Sequence, residues 1–408
     1  MKILIINNFF EPIGGAEKYV NSLGNILQTE GHEVFYYACK ADEYFEKDYK
    51  YSNYFPDRKG KSLKKIYKRY YNKNAEINLE AYLQEIKPDI VHINNIGHNL
   101  TVSVVNACEK YNIPMVMTIH DCGMFCPGGR LMRHNKTFCK GLTCLGKSDW
   151  IGLFNCITNK CYRNSLYESV KFASVFFYNK NSKLYKYPSF YICPSNAIKN
   201  LAIKSGLAEN KLTTINNFLE DSQLEIIPNY NDNGYFLYCG RLSDEKGLKS
   251  LIAAMKLLPK DIELRLVGSG GEESKLKKLA KDMPNIKFLG YMSGTELEEE
   301  YKNCIATIIP SNGFDNFPTS AMESFFYGKA VIGSNIGGIP EIVENNETGL
   351  IFEPADAEKL AEAINILYKD RTLSVEMGKK ARNKAENLYT KKAYYEKLKE
   401  VYEKVLNF

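Results

Sequence analysis

Short apolar runs alternate with helically spaced segments along this chain, and the alternation starts twice. KILIINNF (2–9) reads as a buried strand, followed by a turn at Pro12 and Gly14-Gly15. Residues 16–28 carry Val20, Leu23 and Leu27 at helical spacing. VFYYA (34–38), IVHI (90–93) and PMVMTIHD (114–121) continue the first series of strands. A second series begins at YFLYCGRL (235–242). It runs through IELRLVGSG (262–270), IKFLG (286–290), IATIIP (305–310), KAVIGS (329–334) and TGLIF (348–352), with helical segments between. Strands that alternate with helices pair in parallel, so the expected class is α/β with two Rossmann-like parallel-sheet domains. The polar, Asn-rich stretch at 217–233 reads as a linker. The expected division is 1–216, then 217–388, then a helix at 389–408 that packs back on the first domain.

Composition narrows the class. Of 408 residues, 44% are hydrophobic and 25% charged, which suits a soluble globular chain. No uncharged apolar run is long enough for a transmembrane helix. The first residues carry one Lys and a short apolar run, but no small-residue cleavage site follows, so a cytoplasmic protein is expected. The net charge of +6 is uneven: residues 1–220 hold 29 Lys and Arg against 19 Asp and Glu, and the rest hold 25 against 29. A basic first half and a mildly acidic second half point to different partners.

Parallel sheets bind ligands beyond the carboxyl ends of their strands, so residues just after strands carry the argument. Two such domains suggest a ligand held between them. Gly14 and Gly15 follow the first strand and open a helix whose positive N-terminus suits a phosphate. His120 ends the strand in MTIHD. In GRLSDEKGL (240–248), Arg241 and Lys246 flank a turn before a helix, a cation pair suited to a diphosphate. VGSGG (267–271) could cradle a nucleoside. In GFDNFPTSAMES (313–324), Asp315 lies in a loop after a strand. Thr319 or Ser320 is placed to cap a helix that contains Glu323. Two fixed carboxylate acceptors face a polyol in that arrangement. No Walker motif occurs, and no protein nucleophile stands out.

Taken together, these blocks resemble the retaining glycosyltransferases of family 4, the glycosyl transferase group 1 enzymes of the two-Rossmann-domain GT-B type. The matching pieces are GGAEKYV (14–20), TIHD (118–121), GRLSDEKGL (240–248), LRLVGSGGEESKL (264–276), IKFLGYMS (286–293) and the block from Asp315 to Val343. The resemblance implies two domains facing across a cleft and transfer of a sugar from a nucleotide-diphosphate donor, UDP favoured over GDP. The acceptor would be a glycan or lipid-linked molecule in surface polysaccharide or glycoconjugate synthesis. It implies that Arg241 and Lys246 neutralise the diphosphate, Glu323 holds the ribose, and Asp315 contacts the transferred sugar. Asn316, Phe317 and Thr319 match a loop whose backbone meets sugar and phosphate. Gly14 and Gly15 match the diphosphate loop, His120 lies near the donor sugar, and Gly268 and Tyr291 lie near nucleoside and base. No cofactor or metal is implied for catalysis, which is drawn as front-face substitution with the leaving phosphate taking the acceptor's proton. The family form of the last block is Glu-x7-Glu, so Asp at 315 is a departure that bears on donor-sugar identity.

Two features fall outside that motif set. RKGKSLKKIYKRYYNK (58–73) has eight Lys and Arg, no acid, and aromatics at helical spacing, and a second basic, aromatic zone spans 160–204. Both suggest docking of the first domain on an anionic membrane, peripheral to the inner face. Six of the eleven cysteines fall in an insert at 122–161; the cluster reads either as a metal site, with Cys126, Cys139, Cys144 and Cys161 the candidate structural zinc ligands at loose spacing, or as cysteines that bind no metal. The competing readings are a sugar-nucleotide epimerase, a phosphorylase, or a zinc and nucleic-acid binding protein. The last leaves Arg241–Lys246 and Asp315–Glu323 unexplained, so no nucleic-acid partner is expected.

Overall fold

The computed structural model describes residues 1–9, 15–39, 54–56, 68–133, 137–139, 149–162 and 164–407. The chain divides into two units. The first comprises Met1–Gly129, Leu142–Ile215 and Tyr394–Phe408, and the second Arg130–Gly141 and Asn216–Ala393. The described residues 130–133 and 137–139 therefore group with the second unit, whereas the sequence reading placed all of 1–216 in one domain. A division read from composition cannot detect a short excursion of this kind.

The first unit is built on β1 (Lys2–Ile6), α1 (Gly15–Thr29), β2 (Glu33–Tyr37), α2 (Lys73–Ile86), β3 (Ile90–Ile93), α3 (Ser103–Lys110) and β4 (Met115–Thr118). It continues through α4 (Asp149–Thr158), α5 (Leu166–Asn181), β5 (Phe190–Cys193), α6 (Asn196–Lys204) and β6 (Leu212–Thr214). All strands are parallel, in the order β2-β1-β3-β4-β5-β6. Ile3 to Ile6 are fully buried, as expected of strands covered on both faces. Val20, Leu23 and Leu27 are also fully buried, so the helical stripe of α1 faces the sheet. Helices α4 and α5 and strands β5 and β6 had no counterpart in the sequence reading, because 150–216 shows no clean period.

Most of the basic segment at 58–73 lies outside the described residues. Its described end is not helical: 68–70 form a turn, and helix begins at Lys73 behind the cap Asn72, whose side chain accepts from the Ala75 amide. Tyr70 donates to or accepts from Ser174 on α5 at 2.7 Å, and Tyr71 accepts from Asn106 on α3 at 2.9 Å. Both tyrosines thus pack within their own unit.

The second unit runs β7 (Tyr235–Cys239), α7 (Leu248–Lys256), β8 (Glu263–Val267), α8 (Glu273–Leu279), β9 (Ile286–Gly290), α9 (Gly294–Asn303) and β10 (Ala306–Ile309). It closes with α10 (Thr319–Phe326), β11 (Ala330–Ser334), β12 (Gly349–Phe352), α11 (Ala357–Lys369) and α12 (Arg371–Leu388). The parallel order is β9-β8-β7-β10-β11-β12, that of a dinucleotide-type sheet. Its largest core joins Phe236, Leu251, Leu264, Ile308, Ile332 and Ile364. The last helix, α13 (Lys391–Leu406), buries Tyr394, Leu398, Val401, Tyr402 and Val405, and from Tyr394 onward it belongs to the first unit. In each sheet the strand order reverses beside the first strand of the series: between β1 and β3, and between β7 and β10. Those reversals open the crevices where ligands bind.

Candidate functional site

In the second unit, the loops after β7 and β10 flank the reversal and are tied together. The amides of Asn312 and Gly313 both donate to the Glu245 carbonyl at 2.9 Å. Gly247 has φ +70, and a Cβ there would lie 1.8 Å from the Pro310 carbonyl oxygen, so only glycine allows this approach. Tyr238 donates from its hydroxyl to the Arg241 carbonyl at 2.8 Å and fixes the start of the first loop. Burial holds that phenol well above its ordinary pKa, so it stays a donor.

This frame brings Lys246 and Asp315 together. Lys246 Nζ lies 2.5 Å from Asp315 Oδ2, and Ser311 Oγ donates to the same oxygen at 2.9 Å. Their side chains are 25% and 15% exposed, so the pair is partly shielded yet reachable. The Asp315 carbonyl accepts from the Gly338 amide at 2.8 Å, which anchors the loop to the turn after β11. Arg241, on the Lys246 loop, is exposed.

Helix α10 carries the second carboxylate. Glu323 Oε2 accepts from the Tyr301 hydroxyl at 2.9 Å. Tyr301 is buried and stacked on Tyr327 with centroids 5.0 Å apart. The expected cap is corrected: the position before α10 is Pro318, with φ −66, and no side chain caps the helix. Proline presets the entry backbone there. Asn316 is half-buried and Thr319 exposed, while the Phe317 ring is buried against Tyr389, leaving only its backbone for a ligand. Gly268 has φ +134 and packs where a Cβ would meet the Gly240 carbonyl at 1.9 Å, so it joins the loops after β7 and β8. The Tyr291 side chain, just after β9, is 74% exposed.

In the first unit, the crevice beside β1 and β3 holds His120. Its Nε2 lies 2.9 Å from Asn94 Oδ1, and Tyr19 meets its ring edge-on at 4.7 Å. Burial pushes its pKa down to about 4, so the ring is neutral at physiological pH. Tyr19 hydrogen-bonds Tyr394 of α13. Deeper, His92 bonds the Tyr402 and Thr118 hydroxyls at 2.6 and 2.7 Å. Gly15 is the first residue of α1, and Gly14 lies outside the described residues.

Of the expected zinc ligands, Cys144 lies outside the described residues, Cys126 and Cys161 fall in the first unit, and Cys139 falls in the second. Among the described residues, no group of three or more His, Cys, Asp and Glu converges on a metal position. The insert instead supplies Arg130, whose guanidinium lies 3.3 Å from Glu245 on the Lys246 loop. The sequence reading missed Ser311, Tyr301, Asn94 and Arg130. Asn94 directly follows β3 and Ser311 lies two residues after β10, so the rule that found His120 could have found them. Tyr301 and Arg130 carry no such signal.

The profile described as glycosyltransferase family 4 matches residues 13–223, more than half of the chain. The chain belongs to glycosyltransferase family 4. A second profile, glycosyl transferases group 1, matches residues 220–384. The capsular polysaccharide biosynthesis glycosyltransferase CapM of Staphylococcus aureus is 27% identical over 52% of this chain and 60% of its own length. An uncharacterized glycosyltransferase of Methanocaldococcus jannaschii is 24% identical over 99% of both chains. Matches to some relatives are shorter still: the Arabidopsis thaliana sulfoquinovosyl transferase SQD2 is matched over 29% of its length. Among solved structures, Anabaena HepE in complex with UDP superposes with a TM-score of 0.69 at 19% identity, over 98% of this chain and 99% of that one. The sucrose-phosphate synthase of Thermosynechococcus elongatus gives 0.71 at 19% identity, over 100% and 99%. These solved structures share the α/β GT-B fold of two Rossmann-like domains seen here.

Proposed function

We propose that this chain transfers a glycosyl group from a UDP-sugar, in preference to a GDP-sugar, to a glycan or lipid-linked acceptor in surface polysaccharide or glycoconjugate synthesis. The anomeric configuration is retained. The observation that carries the reading is the Lys246–Asp315–Ser311 cluster at the strand reversal of the second sheet. HepE has been solved with UDP-glucose, which supports a UDP-sugar donor.

In this reading Lys246 and Arg241 neutralise the charge that develops on the departing diphosphate, the term expected to matter most. Asp315 and Glu323 are binding residues that orient the sugar and ribose hydroxyls. The bond from the anomeric carbon to the phosphate oxygen breaks as the acceptor oxygen bonds that carbon from the same face. The leaving phosphate oxygen takes the acceptor's proton, so no protein nucleophile and no metal are called for. Neutral His120 offers an uncharged hydrogen-bonding ring to the donor sugar. Gly268 and Tyr291 meet nucleoside and base, and the backbone of Asn316, Phe317 and Thr319 meets sugar and phosphate.

A thermal-shift screen against UDP- and GDP-sugars tests the donor. A ligand at 100 times its Kd should add about 2.7 kcal/mol of stability. NMR of the product's anomeric proton tests retention. No shift with any nucleotide sugar would overturn the donor reading, and an inverted product would overturn the mechanism. Metal analysis of the purified protein tests whether Cys126, Cys139, Cys144 and Cys161 hold a structural zinc, and a metal-free protein would end that reading.

A further inference from the structure

We propose that a short stretch of the cysteine-rich insert, Arg130 to Met132, is a strap that positions the two donor loops of the second unit, with Arg130 as its positioning residue. Met132–Arg133 pair antiparallel with Thr137–Phe138, and the Cys139 amide donates to the Leu131 carbonyl at 2.7 Å. Leu131 and Met132 are 4% and 5% exposed, so apolar burial seats the strap as well as charge. Leu131 has φ +50, a left-handed conformation that a branched side chain seldom adopts and that persists only where packing holds it. Three segments meet at Gly313. A Cβ there would lie 2.8 Å from the Glu245 Cβ and 3.0 Å from the Met132 Sδ, so the strap lies directly on the loop that carries Asp315.

Glu245 transmits that contact. Its carboxylate accepts from Ser243 Oγ at 2.8 Å and from the Arg130 guanidinium at 3.3 Å. Its carbonyl accepts the Asn312 and Gly313 amides at 2.9 Å, and the next residue is Lys246. One residue therefore joins the strap, the Lys246 loop and the Asp315 loop, the kind of support that fixes ligand-binding groups in place. Burial alone would raise the Glu245 pKa, but its own amide, Ser243, Arg130 and Arg241 outweigh that and hold it below the ordinary carboxylate value, so the side chain is charged. A negative charge beside a diphosphate site opposes binding unless a cation answers it. Arg130 is that cation. Without it, Arg241 is left to answer Glu245, at the expense of the phosphates. Arg130 thus acts through Glu245 and not on the substrate.

The effect on UDP rests on the donor reading above, whereas the effect on the loop does not, so the two are measured separately. The Arg130 side chain is 53% exposed, so replacing it leaves the fold intact. Amide hydrogen exchange is read first, on the protein without ligand. Arg130→Ala is expected to speed exchange at Asn312 and Gly313 at least about fivefold, with β10 and the melting temperature unchanged. Calorimetry with UDP follows. Arg130→Ala is expected to weaken binding about tenfold, and Arg130→Lys, which keeps the charge, to stay within about threefold of the parent. The double variant Arg130→Ala/Glu245→Gln removes the unanswered charge and should recover most of the loss, a rescue that a merely structural contact would not show. Exchange at Asn312 and Gly313 at the parent's rate, a UDP affinity of Arg130→Ala equal to the parent's, or a double variant no tighter than Arg130→Ala would overturn the proposal. A parent that binds no UDP would overturn the donor reading instead, and the exchange rates would still decide the role of the strap.

Discussion

Lys246 and Asp315 stand 69 positions apart in sequence and 2.5 Å apart in the fold. In the proposed reaction they have separate tasks, yet without donor each neutralises the other. The shorter Asp side chain, where the family pattern has Glu, is the one that meets both Lys246 and Ser311 here. Lys246→Ala is expected to lower kcat/KM by about 10²–10³, the loss typical of one transition-state donor. Asp315→Asn should differ: it releases Lys246 for phosphate, so UDP binding stays within about threefold by calorimetry while turnover falls about 10²-fold or more. Loss of UDP binding in Asp315→Asn would contradict this division of roles. Glu323 depends on a neighbour in turn. Tyr301→Phe removes its hydrogen bond and should lower stability by about 0.5–1.5 kcal/mol, read by urea denaturation.

At the scale of elements, the site is made by how closely two strand-to-helix turns approach. Gly247 is the contact point, and Gly247→Ala places a methyl carbon against the Pro310 carbonyl. That overlap is expected to destabilise the protein by more than about 3 kcal/mol, visible as a large fall in melting temperature. The elements that sequence placed best were those of the second unit. There a buried strand and an amphipathic helix follow one another with glycines at the joints, and IKFLG coincides with β9. The failures have local causes. Pro318 took the cap position that Thr319 and Ser320 were expected to fill, because its fixed φ suits helix entry. Helices α4 and α5 were missed because their outward faces are as apolar as their inward ones, which erases the period.

For the whole molecule, the chain leaves the first unit after Ile215 and rejoins it at Tyr394. The stability of that unit therefore depends on the chain's last helix. Leu398 is fully buried, and Leu398→Ala should cost about 2–5 kcal/mol, measured by denaturant unfolding. The same helix reaches a buried histidine. Burial pushes His92 down to about 3 from an ordinary 6.5. The unfolded chain then takes up the proton first as pH falls. The contribution of neutral His92 is therefore complete above pH 6.5 and is lost as pH falls from 6.5 toward 3. Each pH unit is worth at most about 1.4 kcal/mol for one group. Between pH about 6.5 and 5, above the usual carboxylate range, urea midpoints are expected to decline. The His92→Phe variant should show a shallower slope despite lower overall stability.

The sequence by itself determined the two βα series, the parallel pairing and the positions just after strands where ligand-binding groups gather. Those follow from local periodicity and chain direction, which a linear string records. It also carried the family, through short motifs in a fixed order. Only the tertiary structure decided that Asp315 bonds Lys246 and Ser311, that Tyr301 holds Glu323, that Asn94 holds His120, and that residues 130–133 and 137–139 join the second unit. Each of those depends on groups from separate elements meeting, and element order is fixed by packing the whole unit rather than by any one segment.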